Sequence, residues 1–130
     1  MEKIIKNLIL FITIFALNLL YPLLQASAIS DVDWLLLKEN NDGKEWIDLG
    51  SIKNLKNHEI SVLTKYFQNP NKEKAKGETN LYVMRINCDN REYKDISVNG
   101  IPSFKAKWKT TNNDELIDVV IDKSCSEINS

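Results

Sequence analysis

The two cysteines constrain the fold of this chain more than any other feature. Cys88 and Cys125 are the only cysteines among its 130 residues, and both lie far beyond an apolar N-terminal segment. In an exported protein an isolated pair favours a structural disulfide, because export compartments are oxidising. Metal binding and thiol catalysis are the alternatives, but the chain has no C-x-x-C motif and one histidine, and zinc sites need four ligands. We therefore predict a Cys88–Cys125 disulfide, which would close a loop of about 38 residues and stabilise the fold by roughly 4 kcal/mol.

The N-terminal segment has the pattern of a secretory signal peptide. Two lysines precede an apolar run from Asn7 to Leu20, and the small residues Ala26-Ser27-Ala28 follow. The apolar core of about 14 residues is shorter than the roughly 20 that span a bilayer, so an uncleaved anchor is the less favoured alternative. We predict a signal peptide over residues 1–28, a single domain over 29–130, and no stable membrane anchor after cleavage.

Alternating apolar residues predict a sheet. Thr79–Cys88 is the clearest strand, because Tyr82, Met84, Ile86 and Cys88 share one face while other residues face away. The other predicted strands are 32–38, 44–49, 59–67, 91–98 and 103–108.

Turn residues separate these strands. Asn40–Gly43 and Asn99-Gly100 are strong hairpin signals, since these residue types tolerate positive φ. Asn69–Thr79 is polar and rich in lysine, which predicts an exposed loop. Pro102 cannot donate to a ladder, so the strand near it should begin after the proline or lie at an edge.

The C-terminal segment predicts a helix. Asn112 or Asn113 can cap it, and one apolar stripe follows, formed by Leu116, Ile117, Val120 and Ile121. Cys125 lies within one turn of that stripe. The predicted fold is α+β: an antiparallel β-sheet meander of about five to six strands, with one C-terminal helix packed on it and stapled by a disulfide.

No catalytic constellation is visible in the sequence. His58 is the only histidine, and a catalytic triad needs a histidine between a nucleophile and a carboxylate. We interpret His58 as a solvated loop residue and predict no catalytic residue, no cofactor and no metal site. Asp48 and Ser51 are typical of a turn that bonds nearby backbone amides, and Asp31 and Asp33 are typical of solvated surface.

Aromatic and basic residues provide the remaining candidates for function. Trp34 and Trp108 are predicted to pack in the core, as tryptophan usually does. Arg91 and Tyr93 are expected to brace the sheet edge near Cys88, with partner binding as the alternative. Lys72, Lys74 and Lys76 form a basic cluster that is either solvated or in contact with an acidic partner. No nucleic-acid-binding motif is present, and nucleic acid is not an expected partner.

The chain resembles the surface-adhesin protein E family of small exported bacterial proteins. The resemblance rests on residues in a fixed order: Trp34, Trp46-Ile47-Asp48-x-x-Ser51-Ile52, the Ile60–Tyr66 strand, Cys88-x-x-Arg91-x-Tyr93, Trp108, and a helix ending at Cys125. It implies an antiparallel sheet with a packed C-terminal helix, and an envelope of the Gram-negative type. The namesake looks like a lipid-anchored adhesin that binds host matrix and serum proteins, whereas here no cysteine directly follows the apolar segment to carry a lipid.

Two functions are consistent with these features. The first is an exported, non-enzymatic envelope or surface protein that binds a protein or glycan partner, located in the periplasm or at the cell surface. The alternative is a periplasmic inhibitor or accessory protein of an envelope hydrolase, which would use a rigid loop such as 69–79.

Overall fold

An antiparallel sheet forms the framework of residues 31–127. The structure is a computed structural model that describes residues 1–10, 12, 15 and 31–127. The chain divides into two units, residues 1–30 and 31–130, and residues 2–10 of the first are helical. The predicted cleavage site after Ala28 lies outside the described residues. Among those residues, no helix is long and apolar enough to cross a membrane.

The sheet is a meander. Its strands in chain order are β1 Trp34–Glu39, β2 Gly43–Asp48, β3 Lys53–Asn54, β4 Glu59–Gln68, β5 Glu78–Asn87, β6 Glu92–Val98, β7 Ile101–Pro102 and β8 Lys109–Thr110. The spatial order is β1-β2-β4-β5-β6-β7, while the short strands β3 and β8 pair with β4 and β6. All pairs are antiparallel, which confirms the predicted meander.

The hairpin signals act as predicted. Asn99 and Gly100 have φ values of 49° and 80°, as a type I′ turn requires. In the first hairpin the Asn40 side chain accepts hydrogen bonds from the backbone amides of Asp42 and Gly43 at 2.9 and 3.1 Å. Short polar side chains therefore set the register of the strands on either side.

The predicted strand over residues 103–108 is wrong. Pairing with β6 occurs at β7 and β8 instead, and the segment between them makes a turn in which the Ala106 amide donates to the Ser103 carbonyl at 3.3 Å. Pro102 has no amide hydrogen to continue the ladder. The segment is exposed, with 95% of Phe104 accessible.

The C-terminal helix spans Glu115–Ser126 and is capped by Asp114 rather than by Asn112 or Asn113. The Asp114 carboxylate accepts from the amides of Leu116 and Ile117. Both asparagines have positive φ, whereas a cap residue needs the extended conformation that Asp114 adopts. The prediction of the helix itself is confirmed.

The core lies between one face of the sheet, here called the inner face, and the helix. The strands contribute Ile47, Val62, Met84 and Ile86, and the helix contributes Val120 and Ile121. The predicted disulfide is confirmed: Cys88 and Cys125 are bonded, with their Cα atoms 5.8 Å apart. It joins the end of the helix to the end of β5.

The tryptophans do not lie in this core, so the prediction for Trp34 and Trp108 is wrong. Both are half-buried on the opposite, outer face of the sheet. The Lys65 ammonium lies 4.5 Å from the ring centres of both Trp34 and Trp46, and the Lys94 ammonium lies 4.4 Å from that of Trp108. Alternation along β2 explains the placement of Trp46, because it is adjacent to the inward-facing Ile47.

Candidate functional site: an acidic cavity lined by tyrosines

A cavity of about 720 Å³ opens beside the core, between the inner face of the sheet and the start of the C-terminal helix. Its floor comes from β2, β4, β5 and β6, and its walls come from the β1–β2 turn and residues 113–117. The cavity is therefore a continuation of the core face beyond the region that the helix stripe covers.

Strand register brings polar residues to this part of the inner face. Glu45 is two residues from Ile47, and Thr64 is two residues from Val62, so each shares a face with a core residue. Glu45 is paired across the sheet with Tyr66, and Thr64 with Tyr82. The same face of these strands therefore carries apolar residues in the core, and tyrosine, threonine and glutamate where it lines the cavity.

Three tyrosines line the cavity: Tyr66, Tyr82 and Tyr93. Burial is the largest cause that raises the pKa of each phenol, and nearby carboxylates add to the effect. The Tyr66 hydroxyl donates to the Asp42 carbonyl at 3.2 Å, which fixes that ring against the β1–β2 turn. The rings therefore present aromatic surface to the cavity while remaining neutral.

Glu45 is the most perturbed acid of the site. It is 2% exposed, and its pKa is raised to about 8, mainly because burial disfavours the charged carboxylate. A hydrogen bond with Thr64 lowers the pKa, and the charges of Asp114 and Asp95 raise it. Glu45 is consequently protonated at neutral pH and can donate as well as accept a hydrogen bond.

Among the residues that the structure describes, the cavity lining includes further carboxylates but no basic residue. Two of these acids are paired at the rim: Asp95 with the Lys109 ammonium at 3.0 Å, and Glu115 with the Lys38 ammonium at 2.7 Å. Lys109 also lies 5.5 Å from the Tyr93 ring centre. Glu45 is protonated and adds no charge at neutral pH. Within residues 31–127, Asp42 and Asp114 line the cavity without an ion-pair partner, so the cavity carries excess negative charge.

The structure separates Arg91 from Tyr93. Tyr93 lines the cavity, whereas Arg91 lies in the turn before β6 with a φ of 53°. The Arg91 guanidinium pairs with Asp122 at 2.6 Å and Asp118 at 3.6 Å on the C-terminal helix. Hydrogen bonding and charge from Asp122 raise its pKa. Arg91 thus links the β5–β6 turn to the helix.

The lysine cluster lies elsewhere, in the exposed segment between β4 and β5. Lys74 pairs with Glu78, whereas Lys72 and Lys76 have no ion pair within residues 31–127. The Asn71 side chain accepts from the amides of Glu73 and Lys74, which gives the segment an ordered turn. Partner binding by these lysines remains a prediction.

The remaining polar candidates have local roles. His58 is exposed and contacts the Asp89 carboxylate at 3.0 Å. The Asp48 carboxylate accepts from the amides of Asp33 and Gly50, and the Ser51 hydroxyl donates to the Asp48 carbonyl and accepts from the Leu63 amide. These bonds confirm the predicted turn at Asp48 and Ser51. Within the described part of the chain, no group of three or more His, Cys, Asp or Glu side chains could hold a metal ion.

Sequence reasoning missed Glu45, Thr64, Tyr66 and Tyr82 as components of one site. Strand alternation could have indicated Glu45. It lies two residues from the apolar Ile47 in a predicted strand, so the two side chains had to share a face. Without the register between strands, the sequence did not show that tyrosines would surround it.

The fold is that of a small α+β protein: an antiparallel meander with one disulfide-tethered helix and an open cavity beside it. The surface adhesin-E family model matches residues 35–130. The chain belongs to the surface adhesin-E family. This membership supports its identification as a surface adhesin-like protein. No curated protein and no solved structure matches the chain.

Proposed function

We propose that this protein is an exported, non-enzymatic surface or envelope protein that binds a partner protein or glycan through the tyrosine-lined cavity. Family membership supports the surface role, and the disulfide is consistent with an oxidising compartment. The observation that carries binding is the cavity, whose volume of about 720 Å³ lies within the range of roughly 300–1,000 Å³ common for ligand sites. Aromatic walls and a few converging polar groups are typical of such sites.

Partner binding can be tested with an array of glycans and extracellular-matrix proteins, using the labelled protein. Tyr82→Ser removes an aromatic ring from the cavity floor, and Leu81→Ser is its matched control, since Leu81 is the preceding residue on β5 and is 40% exposed on the outer face. We expect Tyr82→Ser to weaken the binding of any retained partner about tenfold, which corresponds to about 1.4 kcal/mol. Leu81→Ser should bind as the original protein does.

Two results would overturn the proposal. If no member of the array is retained, partner binding through this surface loses its support. If both variants bind equally well, the cavity is not the contact. Protease treatment of intact cells, followed by detection of the protein, tests exposure at the surface separately.

The lysine cluster is a second proposed contact, and the one that an inhibitor of an envelope hydrolase would use. Lys72→Glu combined with Lys76→Glu reverses the two charges that have no ion pair within residues 31–127, and Lys74→Glu reverses the one paired with Glu78. An acidic partner should be lost with the double variant in low salt, because the contact is electrostatic. Unchanged retention would identify the lysines as solvated.

A further inference from the structure

We propose that the cavity binds an alkylammonium group, the chemistry of a lysine side chain presented by a partner protein. The inference rests on the proposed function and names the ligand chemistry of the same site. It depends on three observations: the sign of the charge in the cavity, its aromatic lining, and the contacts that the chain's own lysines make.

Charge excludes an anionic ligand. Asp42 and Asp114 line the cavity without an ion pair in residues 31–127, and no lysine, arginine or histidine of the described residues lines it. The helix N-terminus contributes about half a positive charge. The Asp114 carboxylate accepts from the amides of Leu116 and Ile117 in the first turn, so its own charge offsets that of the helix end. Glu115 adds no net charge, because the Lys38 ammonium is paired with it. The net field therefore favours a cation.

Aromatic surface distinguishes an organic cation from a hydrated metal ion. Cations bound over tyrosine rings gain from the negative face of the ring, and this is how ammonium groups are held in aromatic cages. Tyr66 and Tyr82 line the cavity, and neither has an ammonium group over its ring in the part of the chain that the structure describes. A cation that enters would find both rings and carboxylates.

Lys109 shows the chemistry at the rim of the same cavity. Its ammonium lies 3.0 Å from the Asp95 carboxylate and 5.5 Å from the Tyr93 ring centre. The Lys38 ammonium similarly lies against Glu115. Lysine side chains of the chain itself are thus accommodated by this combination of carboxylate and tyrosine, and the interior of the cavity offers the same combination unoccupied by any of them.

The test is a titration of the purified full chain with Nα-acetyl-lysine methylamide, which keeps the side-chain ammonium. Binding is measured by calorimetry and by NMR of the tyrosine rings. N-acetyl-norleucine methylamide is the neutral probe of similar length, and tetramethylammonium is a cation without a peptide. We expect the lysine probe to bind at least tenfold more tightly than the norleucine probe and to shift the resonances of Tyr66 and Tyr82. It should also bind more tightly than tetramethylammonium if a lysine of a protein is the occupant.

Charge variants locate the site. Asp42→Asn with Asp114→Asn removes the two unpaired carboxylates with little change in size, and should weaken the lysine probe at least tenfold. Asparagine at position 114 can still cap the helix. Asp89→Asn, an exposed position outside the cavity, is the matched control and should leave binding unchanged. Circular dichroism confirms that each variant is folded, and Asp42→Asn alone, at an exposed turn, provides the comparison if the double variant does not fold.

Equal binding of the lysine and norleucine probes, or equal loss in Asp42→Asn/Asp114→Asn and Asp89→Asn, would overturn the inference. Preference for tetramethylammonium over the lysine probe would overturn the assignment to a lysine side chain. A protein or glycan retained on the array through Tyr82, without any response to the ammonium probes, would leave the proposed function standing while the ammonium inference fails.

Discussion

Aromatic rings on the two faces of the sheet lie next to different charged groups. On the outer face, the Lys65 ammonium lies over two tryptophans and the Lys94 ammonium over a third. On the inner face, Tyr66 and Tyr82 line a cavity rich in carboxylates, without a lysine over either ring in the described residues. The outer rings are supplied with cations by the chain itself. On the inner face the Lys109 ammonium lies 5.5 Å from the Tyr93 ring centre, whereas Tyr66 and Tyr82 remain open to a ligand.

One residue step along β2 produces this difference. Trp46 is paired across the sheet with Lys65, and its neighbour Glu45 is paired with Tyr66. Because successive side chains point to opposite faces, the outer pair joins a ring to a cation and the inner pair joins a ring to an acid. The comparison shows that cross-strand pairing, more than composition, decides which aromatic surface is available.

The buried acid should make stability fall as pH rises. The pKa of Glu45 is about 8 in the folded protein, above its ordinary value of 4.5, so the folded state holds a proton that the unfolded state loses first. Below about pH 4.5 the effect vanishes, and above about pH 8 it is complete. Between pH 5 and pH 7.5 we expect the free energy of unfolding to fall by about 3 kcal/mol from this group. Urea denaturation at a series of pH values measures it.

Glu45→Gln should flatten that pH dependence, since the amide does not titrate. Glu78→Gln is the control, because Glu78 is exposed and hydrogen bonding to Lys74 lowers its pKa instead. If the free energy of unfolding of Glu45→Gln still falls as pH rises, the inner face does not hold a protonated acid. The pairing of a ring with a buried acid would then no longer distinguish the inner face from the outer face.

Valine truncation compares the faces directly. Val62 on β4 is 1% exposed in the core, whereas Val83 on β5 is half-buried on the outer face. Val62→Ala should lower the free energy of unfolding by about 2 kcal/mol, because it removes two buried methyl groups and leaves a cavity. Val83→Ala should cost about 1 kcal/mol or less. Equal losses in denaturant titrations would mean that the outer face is as tightly packed as the core.

Most of the fold was predictable from local pattern. Alternation in residues 79–88 identified β5, Asn99-Gly100 identified its hairpin turn, and the helical stripe with Cys125 identified the packed helix. The errors arose where tertiary structure decides. Asn112 and Asn113 are chemically suitable caps, but their positive φ leaves the role to Asp114. Pro102 lies in the short edge strand β7, as one of the two expectations for it allowed, but no strand follows over residues 103–108.

The candidate site was less predictable, because it depends on register. Tyr93 was identified as a possible binding residue, but its partners in the cavity come from three other strands and from the start of the helix. Trp34 was assigned to the core because tryptophan is usually buried, yet Lys65 covers it on the outer face. A sequence alone shows which residues share a strand face, but not which residue lies opposite.

The smallest expected effect tests whether the lysines on the outer face stabilise the protein through their contacts with the tryptophan rings. Lys65→Met keeps the apolar stem and removes the ammonium that lies 4.5 Å from both Trp34 and Trp46. We expect a loss of about 1 kcal/mol in unfolding free energy, since each half-exposed cation–ring contact contributes roughly 0.5 kcal/mol or more, together with a change in tryptophan fluorescence. Lys65→Arg should preserve both properties, because a guanidinium also stacks on aromatic faces. Lys53→Met, at an exposed position in β3, controls for the loss of a positive charge. If Lys65→Met and Lys53→Met lose the same free energy of unfolding, the outer rings gain no stability from their lysines. Only the carboxylates of the cavity would then favour a cation beside the inner tyrosines.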